Sequence, residues 1–508
     1  MKMILQIILL FLIVTRLGAA PVRPNVVVIF ADDLGYGDVG CFYNKSPFKT
    51  PNLDRMAAEG ARLTSFYVPT PYCAPSRATI LTGRYPFRHG MVRNPAPDVG
   101  LSNFGLEPSE VTIAELLKER GYATAAFGKW HLGHKEPWLP RSQGFDEYVG
   151  ILYSNDMFPV QLVRNEKVVE YPVVQSDLSR RYTDMTIDFI RRHQDEPFFV
   201  YLPHAMPHKP LAASDDFYTP ETPGNLYADT VAELDHEVGR LLRELKEMNL
   251  DGKTLVIFLS DNGPWYGGST GGLRGMKAKT WEGGLRVPMI ARMPGVIPAG
   301  VVNDSPSGSV DILPTICRLT GTALPSDRKI DGRDLLPFLN SGKKSDRSRP
   351  IFGMHGEKLS TIRMGKWKLH VRSPGRDLFH WMKPDQKDVY KDPRGPDGVT
   401  IIAPHEQAQI NQHPGIPTEG NPPPMMLFDL DADRGESRNV AQDNPAVVKR
   451  LKTVFDQMVK EVPEFESDPV DYLFRPPAKG QPRTLMRLIG GELRYDRVPK
   501  PQQHLLTK

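Results

Sequence analysis

The sequence is poor in cysteine: 508 residues hold only three, Cys41, Cys73 and Cys317. That is too few for a disulfide framework to carry the fold. A single Cys41–Cys317 bridge is open but nothing implies it, and Cys73 then needs its own explanation. No long block of one charge occurs either. Lys and Arg number 64 against 60 Asp and Glu, for a formal net charge of +4. This gives nucleic-acid binding little support, and the mild positive bias suits an anionic substrate only weakly. No apolar run reaches the roughly 18 residues of a membrane span, and no internal repeat is visible.

Proline, by contrast, is plentiful at 48 residues. With apolar runs recurring along most of the chain, it reads as long, stiff loops rather than disorder. The composition, 40% hydrophobic and 24% charged, is that of a soluble globular protein. Length alone suggests two to four domains, although large α/β enzymes keep about 300 residues in one.

The N-terminus reads as a signal peptide over residues 1–20. Lys2 supplies the charge, Ile4 to Val14 is apolar except for Gln6, and Gly18-Ala19-Ala20 offers small residues for cleavage. The expectation is an exported protein without a stable membrane span, with a periplasmic, extracellular or lysosomal destination.

Beyond it, apolar strands alternate with helices. Strands are expected at Asn25–Phe30, Tyr122–Phe127, Phe198–Leu202, Thr254–Ser260 and Val287–Ala291. Helices are expected after Thr50, over Thr112–Arg120 with Gly121 as its stop, and over Asn225–Met248. The first strand is apolar on both faces, as a central parallel strand should be. The fold class is therefore α/β, a mostly parallel sheet sandwiched by helices. After about residue 345 the pattern changes. A hairpin over 360–371 turning at Gly365, a strand at Met426–Leu430 and a helix over Pro445–Lys460 predict a smaller α+β domain. The expected division is 21–345 catalytic, 346–470 C-terminal α+β, and 471–508 a wrapping tail, with 373–425 an insertion or long loop.

Asp32-Asp33, Lys129-His131, His208 and Asp261-Asn262 all fall near the C-terminal ends of apolar strands, the edge where open α/β sheets bind ligands. Asp32, Asp33, Asp261 and Asn262 offer hard oxygen ligands. Packed carboxylates are costly unless a cation neutralises them. No Cys or paired His accompanies them as a zinc site would want. Flexible coordination favours calcium over magnesium. Each group alone reads equally as turn and cap residues. Cys73 opens Cys73-Ala-Pro-Ser-Arg77, with Pro75 in a first turn and Ser76–Thr82 able to run as a helix, so Cys73 would lie at a helix N-terminus. A small buried apolar Cys is the bland alternative.

The Cys-x-Pro-x-Arg core at 73–77 and the Thr-Gly-Arg that follows resemble the signature of type I sulfatases. The resemblance extends through Asn25–Gly37, Gly128–Gly133, Gly150–Ser154, Pro207–Leu211, Ser260–Pro264, Glu282–Arg286 and Phe428–Asn439, nearly the whole chain. Closest in character are the arylsulfatase A and N-acetylgalactosamine-6-sulfatase types. It implies an alkaline-phosphatase-like fold and a Cys73 oxidised to 3-oxoalanine (formylglycine) by a separate maturation enzyme. It further implies a covalent enzyme–sulfate intermediate: one hydroxyl of the aldehyde hydrate attacks sulfur, and the other then expels sulfate. Asp32, Asp33, Asp261, Asn262 and residue 73 would hold calcium. Arg77 and His131 would position the hydrate, Lys129 and Lys277 would neutralise sulfate oxygens, Ser154 would hydrogen-bond one, and His208 would be the general acid, its intrinsic pKa lying near working pH. His208 is preferred to His204, and Lys277 to Lys279, because their contexts match. His134 reads as a loop neighbour, and Trp265 and Tyr266 either stack on a sugar or aryl ring or merely pack. The implied partner is a sulfated glycan or small molecule. The alternatives are a phosphate or phosphonate ester hydrolase of the same superfamily and a calcium-stabilised carbohydrate-binding protein with a dead site. Specificity is expected in the loops 91–108, 155–180 and 373–425.

Overall fold

A computed structural model describes residues 23–95, 104–157, 160–171, 173–218, 226–340, 347–376, 415, 420–465, 484–489 and 492–497, the last two as backbone. The stretch read as a signal peptide, most of 373–425 and part of the 91–108 and 155–180 loops lie outside the described residues.

Asn25–Ala31 is buried along its whole length. It pairs in parallel with Phe198–Pro203 on one side and Thr254–Ser260 on the other. Its side chains alternate between two cores: Val26, Val28 and Phe30 enter one, Val27, Ile29 and Ala31 the other. A strand with period-two alternation and no polar face belongs in the middle of a sheet covered on both sides.

Ala123–Lys129 and Glu147–Ile151 continue the parallel order beyond Phe198–Pro203, and the antiparallel hairpin Leu162–Arg164/Lys167–Glu170 forms that edge. On the opposite side Met289–Arg292 runs antiparallel to Thr254–Ser260, followed by Ala61–Leu63 and Val301–Asn303. Among the described residues the sheet thus has ten strands with a parallel centre; Met289–Arg292 runs against it on one side, where Ala61–Leu63 and Val301–Asn303 pair in parallel, and the hairpin closes the other.

Leu226–Glu247 covers one face through Leu234, Val238, Leu241 and Leu245. The helix Ile113–Lys118 starts as its sequence dictates: Thr112 Oγ1 accepts the Glu115 N–H at 3.2 Å, and Glu115 Oε2 accepts the Thr112 N–H at 2.7 Å, a reciprocal capping box.

A second, four-stranded antiparallel sheet follows: Pro350–His355, Lys358–Met364, Trp367–His370 and Met426–Asp429 in that order. Gly365 turns its hairpin at φ 62°. The helix Pro445–Val459 lays Leu451 and Phe455 on it. The region expected to be a tail carries an antiparallel pair, Thr484–Ile489 with Glu492–Arg497. Its signal is two strand-like runs parted by Gly490-Gly491. Cys41, Cys73 and Cys317 are all free thiols.

Candidate active site

The strand ends deliver the polar groups to one place. Asp32 follows Ala31 directly, Asp261 and Asn262 follow Ser260, and His208 lies five residues beyond Pro203. Lys129 is the last residue of its strand rather than part of the loop beyond it. The backbones must approach closely here: a Cβ on Gly128, at φ 139°, would stand 1.9 Å from the Pro203 carbonyl oxygen.

Cys73 begins the helix Cys73–Thr82, which Gly83 ends in the left-handed region at φ 68°. The thiol is buried against the sheet edge. Its sulfur lies 3.5 Å from Asp32 Oδ1 and 3.4 Å from the Lys277 ammonium. A ligand atom each from Asp32, Asp33, Cys73 and His208 falls within 4.8 Å of the others. Asp261 joins through Asp33, whose N–H donates to Asp261 Oδ1 at 3.1 Å, and Asn262 Nδ2 donates to Asp33 Oδ1 at 2.6 Å.

Three cations of the chain itself meet these carboxylates. Arg77, one turn after Cys73, donates to Asp261 at 2.9 Å, lies 3.2 Å from Asp32, and holds the Lys129 carbonyl at 2.8 Å. The Lys129 ammonium pairs with Asp32 and donates to Ser154 Oγ at 3.1 Å. Lys277 Nζ lies 2.7 Å from Asp33 Oδ1.

The carboxylates still disturb one another. Burial, then Asp32, push Asp261 up to about 7 against the pull of Arg77. Asp32 moves the other way: burial would raise it, but Lys129, His208, Arg77 and Lys277 together hold it well below its ordinary value. The helix start does not acidify Cys73; burial and then Asp32 push the thiol well above its usual range, outweighing Lys129 and Lys277.

His208 differs in its titration from the sequence expectation. Burial, then Lys277, lower it to about 4, so the free site holds a neutral imidazole. Its Nδ1–H faces the Lys209 carbonyl at 2.5 Å and Asn155 Oδ1 at 3.0 Å, which leaves Nε2 toward Asp33 at 3.6 Å. Ser154 Oγ is 3.4 Å from both ring nitrogens.

His131, held at φ 59°, donates from Nε2 to the Pro95 carbonyl at 3.1 Å, while its buried Nδ1 has no hydrogen-bond partner among the described residues. Burial, then Lys129, keep its ring neutral. Both ring nitrogens of His204 are buried without a hydrogen-bond partner among the described residues, and burial lowers it to about 3, unlike the engaged His208. Lys279 donates to the Arg376 carbonyl, away from the sulfur that Lys277 reaches. His134 pairs with the Tyr153 hydroxyl. Tyr266 is buried on Met276, whereas Trp265 is half-buried with the Lys209 ammonium 5.9 Å from its ring centre.

Two contributors escaped the sequence reading. Asn155 orients His208, and its position beside Ser154 was the available hint. Tyr72, adjacent to Cys73, bonds His355 of the second sheet at 3.1 Å, a contact no local pattern announces.

The donor set suits a hard divalent cation. It offers three carboxylates, and the buried Asn262 Oδ1 has no hydrogen-bond partner among the described residues. Asp261, crowded upward by its neighbours, is the second sign that a cation belongs there.

The family model described as Sulfatase matches residues 24–322. N-acetylgalactosamine-6-sulfatase of Canis lupus familiaris is 40% identical over 398 residues, covering 72% of this chain and 75% of its own. Human arylsulfatase A is 37% identical over 476 residues, covering 86% and 88%. Among solved structures, Ps i-CgsB in complex with k-i-k-neocarrahexaose superposes with a TM-score of 0.69 at 28% identity, covering 87% of this chain and 94% of that one. The PsFucS1 sulfatase from Pseudoalteromonas sp. gives 0.68 at 26%, covering 87% and 92%.

Proposed function

Because the chain belongs to the sulfatase family and hydrolyses sulfate esters, we propose that it removes sulfate from a sulfated carbohydrate with Cys73, oxidised to formylglycine, as its nucleophile. The observation that carries this is the gathering of Asp32, Asp33, Cys73 and His208 within 4.8 Å, with Lys277 touching both Asp33 and the Cys73 sulfur. The carbohydrate reading is supported by the N-acetylgalactosamine-6-sulfatase relative and by the k-i-k-neocarrahexaose in complex with Ps i-CgsB.

As the aldehyde hydrate, residue 73 would supply two hydroxyls on one carbon, one to displace the alcohol from sulfur and one to expel the sulfate afterwards. Asp32, Asp33, Asp261 and Asn262 would hold calcium, which supplies Lewis acidity and a template for sulfate.

The remaining roles fall to side chains. Arg77, braced by Asp261 and the Lys129 carbonyl, fixes the turn that presents residue 73. Lys129 and Lys277 place two ammonium groups where charge spreads over sulfate oxygens, and Ser154, held by Lys129, offers a hydroxyl beside them. His131 orients residue 73. His208, anchored through Nδ1–H by Lys209 and Asn155, directs Nε2 inward. A neutral imidazole must first take a proton there before it can give one to the leaving oxygen.

A catalytic domain over 21–345, a C-terminal domain over 346–470, export through residues 1–20 and maturation by a formylglycine-generating enzyme complete the reading. No helix among the described residues is long and apolar enough to cross a membrane.

The test is mass spectrometry of the Cys73 peptide from protein purified from its native host, followed by a screen of sulfated sugars beside phosphate and phosphonate esters. A loss of about 18 Da, the exchange of sulfur for oxygen with the loss of two hydrogens as the thiol-bearing carbon is oxidised to an aldehyde, and sulfate release support the reading. An unmodified thiol, or turnover of phosphate esters alone, overturns it.

A further inference from the structure

We infer that Glu436, contributed by the C-terminal region, is a positioning residue for the reaction: it braces the turn that carries Lys277. The inference rests on the role given to Lys277 above.

Lys277 reaches the site from a long turn, 274–284. This turn is closed on itself where the Gly283 N–H donates to the Arg274 carbonyl at 2.7 Å. Its packing leaves no slack. A Cβ on Gly284 would stand 2.0 Å from the Lys279 carbonyl oxygen, and Ala278 is held at φ 66°.

Glu436 grips this turn at two points, three residues before Lys277 and five after it. Its carbonyl accepts from Arg274 Nη1 at 2.7 Å, and its Oε2 accepts the Glu282 N–H at 2.5 Å. The Arg274 guanidinium also lies 4.0 Å over the Trp281 ring. From the other side, Glu436 Oε1 takes the His370 Nε2–H at 2.6 Å and lies 3.1 Å from the Lys368 ammonium. Both partners stand on one strand of the second sheet.

The side chain is fully buried, and its backbone sits at φ 50°, a region that disfavours any residue with a Cβ. Glycine would be easier there. A glutamate is kept at the point where its carboxylate joins the second sheet to the turn. Lys277 spans 2.7 Å to Asp33 and 3.4 Å to sulfur, so a shift of the turn of about 1 Å would remove it from the charge it must meet.

Glu436→Gln keeps the shape but leaves one oxygen for two sets of donors, at Glu282 N–H and at His370 with Lys368. The experiment measures kcat and KM of the full-length, Cys73-converted enzyme on an aryl sulfate, for Glu436→Gln, Lys277→Ala and the double variant. We expect Glu436→Gln to lower kcat roughly tenfold with KM within about twofold. Lys277→Ala should cost about 10²–10³, and the double variant should be no slower than Lys277→Ala alone. Arg274→Lys, at a half-buried position, should show the same pattern, with faster amide exchange confined to 274–284, and it carries the test if Glu436→Gln does not fold. Losses that multiply in the double variant, or unchanged kcat in Glu436→Gln and Arg274→Lys while Lys277→Ala is impaired, overturn the brace alone. A fully active Lys277→Ala overturns the role of Lys277, and the brace with it.

Discussion

Two clusters of buried charge each hold a carboxylate beside an arginine, Asp261 and Glu282, and the two are shifted in opposite directions. At the strand ends, three carboxylates adjoin one another, and Asp261 is pushed up to about 7 by burial and Asp32 although Arg77 touches it. Between the two sheets, Glu282 is equally buried. Burial would raise it too, but Lys368, Arg286 and Arg363 hold it at about 2. The Lys368 ammonium lies 3.0 Å from Glu282 and 3.1 Å from Glu436, so a cation separates the two acids. Depth is the same; neighbours differ. A carboxylate crowded by other carboxylates is poised to take a further cation, whereas one enclosed by cations is a joint of the structure.

The comparison breaks most sharply at residue 73. Cys73→Ala should abolish aryl sulfate turnover by about 10⁴-fold or more while the second cluster, and the unfolding midpoint, stay as they are. Chelation comes next. Removing divalent ions should lower turnover by about 10²–10³ and calcium should restore it. Calcium at a hundredfold excess over its Kd should also raise unfolding stability by about 2.7 kcal/mol, and an unfolding curve indifferent to calcium and chelator would sink the assignment of the first cluster as a cation site.

Single carboxylates sharpen the contrast further. Glu282→Gln leaves Lys368 and Arg286 facing a neutral amide in the interior and should cost about 3 kcal/mol in denaturant unfolding. The sign with pH is fixed. Glu282 is depressed in the folded protein, so its contribution is complete above the ordinary glutamate value near 4.5 and disappears as pH falls toward about 2. The variant should therefore lose that part of the acid sensitivity. The smallest effect is expected at Asp261. In chelated protein Asp261→Asn removes repulsion from Asp32 as well as a bond to Arg77, and should change stability by less than about 1 kcal/mol. An Asp261→Asn cost equal to that of Glu282→Gln would show that the two clusters do not differ in kind.

The first cluster was largely legible in the sequence and the second was not, for a physical reason. Asp32, Asp261 and His208 follow apolar strands, and strand ends are readable because burial on both faces demands unbroken apolar runs such as Val26–Phe30. The helix at Cys73 was readable from Pro75 and the run Ser76–Thr82. Its thiol's environment was not, because Asp32 and Lys277 come from 41 and 204 residues away. The same holds for the neutral state of His208. Glu436, Lys368 and Glu282 sit on three separate stretches whose local sequence carries no sign of their meeting. The helix Leu178–Arg192 escaped because Thr183 and Thr186 share its buried face with Ile187 and Ile190, which blurs the apolar period. Ala61–Leu63 is too short for any period to register.

Of the strands in this sheet, the first in sequence is the one the finished sheet needs in its middle. Asn25–Ala31 waits for Phe198–Pro203 and Thr254–Ser260, an interval of roughly 10–50 s at about 5–20 residues translated per second. Until then the apolar ribbon lacks both its neighbours, and Cys73, once made, lacks Lys277, which lies 204 residues further on. Once the partners arrive, ribbon and sulfur are both covered, and Cys73 retains 1% of its exposure. If Cys73 is converted as proposed, the enzyme that does so must reach the sulfur before these partners close over it, in the same interval in which the apolar ribbon is open to aggregation.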